Sequence, residues 1–106
     1  MRRRFELEHH PESDGALRAT LSGELDLATV DELRDYLLEA AALGKALRLD
    51  LTELEFIDST GLQLLLTAAA DACRDGWDFT ITKPSARFQR LVEVAGVADR
   101  LPIESE

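Results

Sequence analysis

The apolar residues of this 106-residue chain change their spacing along its length, and each change is abrupt. Phe5 and Leu7 alternate with Glu6 and Glu8, and Leu17, Ala19 and Leu21 alternate with Arg18, Thr20 and Ser22. A period of two sends successive side chains to opposite faces of a strand. From Val30 the period lengthens, and Val30, Leu33, Leu37 and Ala40 fall on one helical face. Leu47, Leu49 and Leu51 return to alternation. Leu62, Leu65, Leu66, Ala69, Ala72 and Cys73 then share a second helical face, before Trp77, Phe79 and Ile81 alternate once more. Phe88, Leu91, Val92 and Ala95 supply a third helix. The order β-β-α-β-α-β-α predicts parallel pairing after an initial hairpin, because crossover helices join parallel neighbours. Alternation in every strand predicts a two-layer α/β fold: a mixed sheet of four to five strands, helices mainly on one face, and a more polar opposite face.

Local signals place the boundaries. Asp14-Gly15 predicts the turn of the hairpin. Thr29 and Glu32 have the spacing of a capping box, while Gly44, Gly76 and Gly96 suit left-handed helix stops. Pro84-Ser85 opens the third helix, and Val97 is placed for the apolar contact that follows such a stop. Leu101-Pro102-Ile103 can lie along a sheet edge, with 104–106 frayed. On the second helix Gln63, Thr67, Asp71 and Asp75 form the polar side, and Leu64 and Ala68 fall there too. Leu64, one turn from Thr60, is thus a candidate partner contact. Cys73, the single cysteine, reads as a small buried hydrophobe.

Charge and composition narrow the function. The composition, 45% hydrophobic and 31% charged, is that of a globular protein. A formal net charge of −9 disfavours nucleic acid, whose phosphates require clustered Lys and Arg, and favours a basic protein surface. Arg2-Arg3-Arg4 precedes no apolar run, so no secretory signal is predicted, and no segment is long enough to span a bilayer. The cytoplasm is the expected location. Catalysis finds little support: the only histidines, His9 and His10, sit by the first turn, far in sequence from Ser59. No Gly-x-Ser-x-Gly elbow, Walker loop or Gly-x-Gly-x-x-Gly occurs. His9, His10 and Glu12 read as solvated rather than metal-binding, and Asp26 with Asp58 lacks a third catalytic group. The expectation is a protein that is not an enzyme and carries no cofactor.

One short segment does carry chemistry. In Phe56-Ile57-Asp58-Ser59-Thr60-Gly61-Leu62 an acid, two hydroxyls and a glycine stand where a strand-side loop becomes a helix. The first N–H groups of a helix lack intrahelical partners, so Asp58, Ser59 or Thr60 can cap them. A phosphate there would also meet the positive end of the helix dipole. A hydroxyl at this position is a place where charge can be added without breaking the fold.

Two segments bear a family resemblance. Gly23-Glu24-Leu25-Asp26 is similar to the signature of STAS domains, and Leu54 to Leu62 resembles the phosphorylation loop of the bacterial anti-sigma factor antagonists in that family. The stretch from Ala86 to Val97 is similar to the family's C-terminal segment, so the likeness spans nearly the whole chain as one STAS domain, residues 1–106. The resemblance implies a partner-switching protein. It would bind an anti-sigma factor that is also a serine kinase of GHKL type, releasing a sigma factor. The kinase would phosphorylate Ser59, abolishing binding, and a PP2C-like phosphatase would restore it. Thr60 is the secondary acceptor, while Asp26, Asp58, Gly61, Gln63 and Leu64 complete the implied contact set. Gln63 stands where many antagonists carry a small residue, often Gly, and so bears on partner choice; it could also form a capping box with Thr60. The rival within the same superfamily is a soluble subunit of a lipid or anion transport complex, bound constitutively to an ABC ATPase.

Overall fold

The computed structural model describes residues 4–104. Its strands are β1 (Glu6–Pro11), β2 (Leu17–Leu25), β3 (Leu47–Ile57) and β4 (Phe79–Ile81). Its helices are α1 (Val30–Leu43), α2 (Ser59–Asp75) and α3 (Ala86–Ala95), with a 3-10 turn at Ala98–Arg100. One sheet runs in the order β1-β2-β3-β4; β1 is antiparallel to β2, and β2, β3 and β4 are mutually parallel. Ile103 adds a parallel bridge to Ile81, a marginal fifth strand where Leu101-Pro102-Ile103 suggests a sheet edge. Ser105, Glu106, Arg2 and Arg3 lie outside the described residues.

Strand β2 shows why the helices gather on one face. Leu17, Ala19, Leu21, Gly23 and Leu25 are buried, while the residues between them are only half-buried. Leu47, Leu49 and Leu51 continue the buried face on β3, joined by Leu33 and Leu37 from α1, Leu62 and Leu65 from α2, and Phe88 and Val92 from α3. Each fully buried leucine contributes roughly 1.5–3 kcal/mol relative to exposure. On the polar face Arg18 reaches Glu12 at 3.2 Å and Asp50 at 3.6 Å, and Arg48 reaches Asp14 at 2.8 Å and Glu12 at 3.3 Å.

Several local expectations need correction. The first strand begins at Glu6 and runs through both histidines; Phe5 precedes it, buried in the core. Strand β3 does not end near Leu51 but continues to Ile57, so Phe56 and Ile57 belong to the strand and not to a loop. Trp77 lies before β4 rather than in it, its indole N–H donating to the Lys45 carbonyl at 2.8 Å. Thr29 makes no capping box with Glu32. Its hydroxyl instead donates to the Glu24 carbonyl and accepts from the Asp26 N–H, both at 3.0 Å, because the loop before α1 folds back over the end of β2. On α2, Ala68 is buried and Cys73 exposed, the reverse of the simple wheel. Helix α1 packs beside α2, and its Leu37 and Leu38 lie by Ala68.

At the other boundaries the sequence signals hold. Gly44, Gly76 and Gly96 close α1, α2 and α3 in the left-handed conformation. Ser85 caps α3 by accepting from the Phe88 N–H at 3.1 Å, and Val97 packs on the core beyond the stop.

Candidate functional site

The pairing of Leu25 with Ile57 is the last rung between β2 and β3. Asp26 and Asp58 follow directly, so both acids emerge at the same end of the sheet. The Asp58 N–H donates to the Leu25 carbonyl at 3.2 Å, tying the two strand ends together.

Getting there requires two glycines. The register between β2 and β3 slips between Thr20 and Ser22 and again between Gly23 and Glu24. The buried positions of β3 accordingly pass from Leu51 to Leu54 to Ile57, leaving strict alternation. Gly23 has φ +81, and a Cβ on it would stand 2.1 Å from the Arg4 carbonyl oxygen. Only glycine fits a left-handed residue so close to another backbone. Gly61 is needed for a different reason. Its backbone is helical, but a Cβ would lie 2.9 Å from Ile57 Cγ1 and 2.9 Å from Leu25 Cγ. The missing side chain lets the first turn of α2 sit directly on the ends of β2 and β3.

Asp58 is the cap of α2. Its carboxylate accepts from the Gly61 N–H at 3.0 Å, and its carbonyl accepts from the Leu62 N–H at 3.0 Å. Ser59 is therefore the first helical residue, exposed, with the cap already supplied by its neighbour. Thr60 is half-buried. Gln63 is exposed and donates to the Thr67 hydroxyl at 3.5 Å, one turn along α2, so the Thr60–Gln63 capping box does not form. Leu64 is half-buried against the core, not free on a polar face.

Asp26 shapes the adjoining loop. Its carboxylate accepts from the Ala28 N–H at 3.0 Å, and its carbonyl accepts from the N–H groups of Thr29 and Val30. The geometry thus brings Asp26, Asp58, Ser59, Thr60 and Gly61 to one end of the sheet and extends the group along α2 through Gln63 and Leu64.

Two apolar residues at this end were not singled out from the sequence. Leu27, next to Asp26, is 75% exposed, and Phe56, two residues before Asp58, is 44% exposed. A signal for Phe56 exists: it adjoins Ile57, and adjacent strand residues face opposite ways, so one of the pair must look outward. Elsewhere, His9 Nδ1 lies 2.8 Å from the Tyr36 hydroxyl, and His10 lies 3.6 Å from Glu8. Among the described residues no cluster of three or more His, Cys, Asp or Glu side chains is placed to hold a metal ion. No described helix is long and apolar enough to cross a membrane.

The family model described as Mlab, STAS domain, matches residues 9–103. The chain belongs to the STAS domain family. It is 31% identical to an anti-sigma F factor antagonist of Paenibacillus polymyxa over 105 residues, covering 97% of this chain and 87% of that protein. Among solved structures, this STAS domain superposes on an anti-sigma factor antagonist from Mycobacterium paratuberculosis with a TM-score of 0.81 at 22% identity, covering 97% of this chain and 87% of the other. It also matches the Bacillus cell fate determinant SpoIIAA in its phosphorylated form, with a TM-score of 0.67 at 23% identity and coverage of 97% and 93%. These likenesses carry the mixed four-stranded sheet and its three helices.

Proposed function

We propose that this STAS domain, taken as one unit of 106 residues, is an anti-sigma factor antagonist acting in the cytoplasm, with Ser59 as its phosphorylation switch. It works by binding rather than by catalysis. The observation that carries this reading is the division of labour at the start of α2: Asp58 makes the cap, and Ser59 presents its side chain to solvent beside it. The phosphorylated relative SpoIIAA and the antagonist relatives support it.

The electrostatics then give the switch its direction. A phosphate on Ser59 adds about −1.5 to −2 charge at pH 7. The helix N-terminus partly stabilises that charge, so the fold tolerates it. A partner surface fitted to a neutral hydroxyl does not, because the charge must be desolvated without a counter-ion. In this reading Asp26, Asp58, Thr60, Gly61 and Gln63 frame the contact, Leu64 lies at its margin, and Leu27 and Phe56 supply apolar anchors. The partner is an anti-sigma factor that doubles as a GHKL-type serine kinase, and a PP2C-like phosphatase resets the switch. Ser59 is the acceptor in preference to Thr60, which is half-buried.

The test is a parallel pull-down from the native cell with Ser59→Ala and Ser59→Asp baits, read by mass spectrometry. Capture of a GHKL-type kinase by the Ala bait and its loss from the Asp bait supports the reading. The same partner set on both baits, with an ABC ATPase among them, would sink it in favour of a constitutive transport subunit.

A further inference from the structure

A groove of about 590 Å³ runs between α1 and α2. Leu37 and Ala68 form its buried floor, and Leu38, 64% exposed, stands on one lip opposite half-buried Leu64. Trp77 walls one end, held in place by its bond to the Lys45 carbonyl and by stacking on Phe79 with centroids 5.5 Å apart. Asp71, Asp75 and Asp78 line the half nearest Trp77. Among the described residues Arg34 is the one basic side chain lining the groove; it sits toward the other end and is bonded to Asp31. Arg74, which holds Asp75 at 3.0 Å and Asp71 at 3.2 Å, is not among the lining residues.

We propose that this groove docks an amphipathic helix of a partner protein, with an apolar stripe flanked by lysine or arginine. Two neighbouring helices leave a furrow into which a third can lay apolar residues at i, i+3, i+4 and i+7. From Leu64 to Asp75 the furrow is about 16 Å long at 1.5 Å per residue, enough for three helical turns. Arg74 offsets one of the three carboxylate charges, and the negative charge that remains, on a chain of net charge −9, favours a cationic flank and disfavours an anionic lipid surface. The groove is also continuous with the face around Ser59, since Leu64 lies one turn beyond Thr60. It uses no property of Ser59, however, so it stands or falls separately from the switch.

Trp77 is the only tryptophan in the chain and reports on the groove directly. The full chain is titrated, at physiological ionic strength, with a Leu/Lys amphipathic helical peptide about four turns long and free of aromatic residues. Its Leu/Glu counterpart serves as the comparison. The Leu/Lys peptide is expected to shift Trp77 emission and to bind at least ~10-fold more tightly than the Leu/Glu peptide. Leu38→Lys combined with Asp78→Lys, both at exposed positions, is expected to weaken binding at least ~10-fold. Leu38→Ser alone gives a smaller loss, and Ser59→Asp leaves the affinity within about two-fold. Trp77 emission that ignores the peptide overturns the proposal, as does equal binding of the two peptides. So does undiminished binding to the double variant, or a free chain whose Trp77 emission changes with its own concentration through self-association.

Discussion

Carboxylates do two different jobs at two places in this molecule. On the open face of the sheet Glu12, Asp14 and Asp50 hold Arg18 and Arg48. Asp14 is bonded by Arg48 and by the Ala16 N–H, and its pKa falls to about 2. At the start of α2 Asp58 accepts from the backbone N–H of Gly61, and in the loop before α1 Asp26 accepts from the Ala28 N–H and from the Thr29 hydroxyl. The first group binds side chains to one another across strands. The second sets the path of the backbone and leaves Ser59 presented to solvent.

The largest effect expected from this contrast is on binding. Ser59→Asp should weaken the anti-sigma partner by ~100-fold or more, the cost of an unmatched charge at a buried contact. Partner titration by calorimetry checks it, and affinity within three-fold of the wild type at ~1 µM or tighter would break the comparison. Next come the glycines that bring the acids together. Gly61→Val should lower stability by roughly 1–3 kcal/mol through overpacking against Leu25 and Ile57, seen as an earlier denaturant midpoint. Gly23→Ala should cost at least as much, because it adds left-handed strain to a clash with the Arg4 backbone. Asp58→Ala removes the cap and should cost about 1 kcal/mol, with Asp58→Asn recovering most of it.

The smallest effect belongs to the open face and depends on pH. The folded-state pKa of Asp14 lies below its ordinary value of 3.8, so its contribution is fully present above about pH 4 and is lost as pH falls toward 2. Asp14→Asn should therefore flatten the acid limb of the stability curve in that window and leave it unchanged at pH 7 in slope. An acid limb identical to that of the wild type would show that these ion pairs are too well solvated to matter.

Much of this was legible in the amino-acid order. The switch of apolar period gave the element sequence, Gly44, Gly76 and Gly96 marked the helix ends, and Ser85 marked a start. That Asp26, Asp58 and Ser59 share one sheet end follows from the parallel run of β2 and β3, while the register slips that bring Asp26 level with Asp58 do not show in the apolar spacing. What could not be read locally depends on distant neighbours. Ala68 is buried because α1 lies beside it, and the demand for glycine at position 23 comes from the Arg4 carbonyl. Thr29 forsakes its expected cap for Glu24 and Asp26 because the preceding loop offers both a donor and an acceptor. Leu27 and Phe56 escaped notice for a related reason: strand and loop apolar residues look alike in sequence whether they face the core or solvent.

The central claim is that charge on Ser59 turns off binding without disturbing the fold. The direct test is to phosphorylate the chain with the kinase that the Ser59→Ala bait captures, then measure thermal unfolding and partner affinity on the same sample. The account predicts a melting temperature within about 2 °C of the unmodified chain together with a loss of affinity of ~100-fold or more. A phosphorylated chain that binds as tightly as before, or one that loses binding only because it has melted, would contradict it.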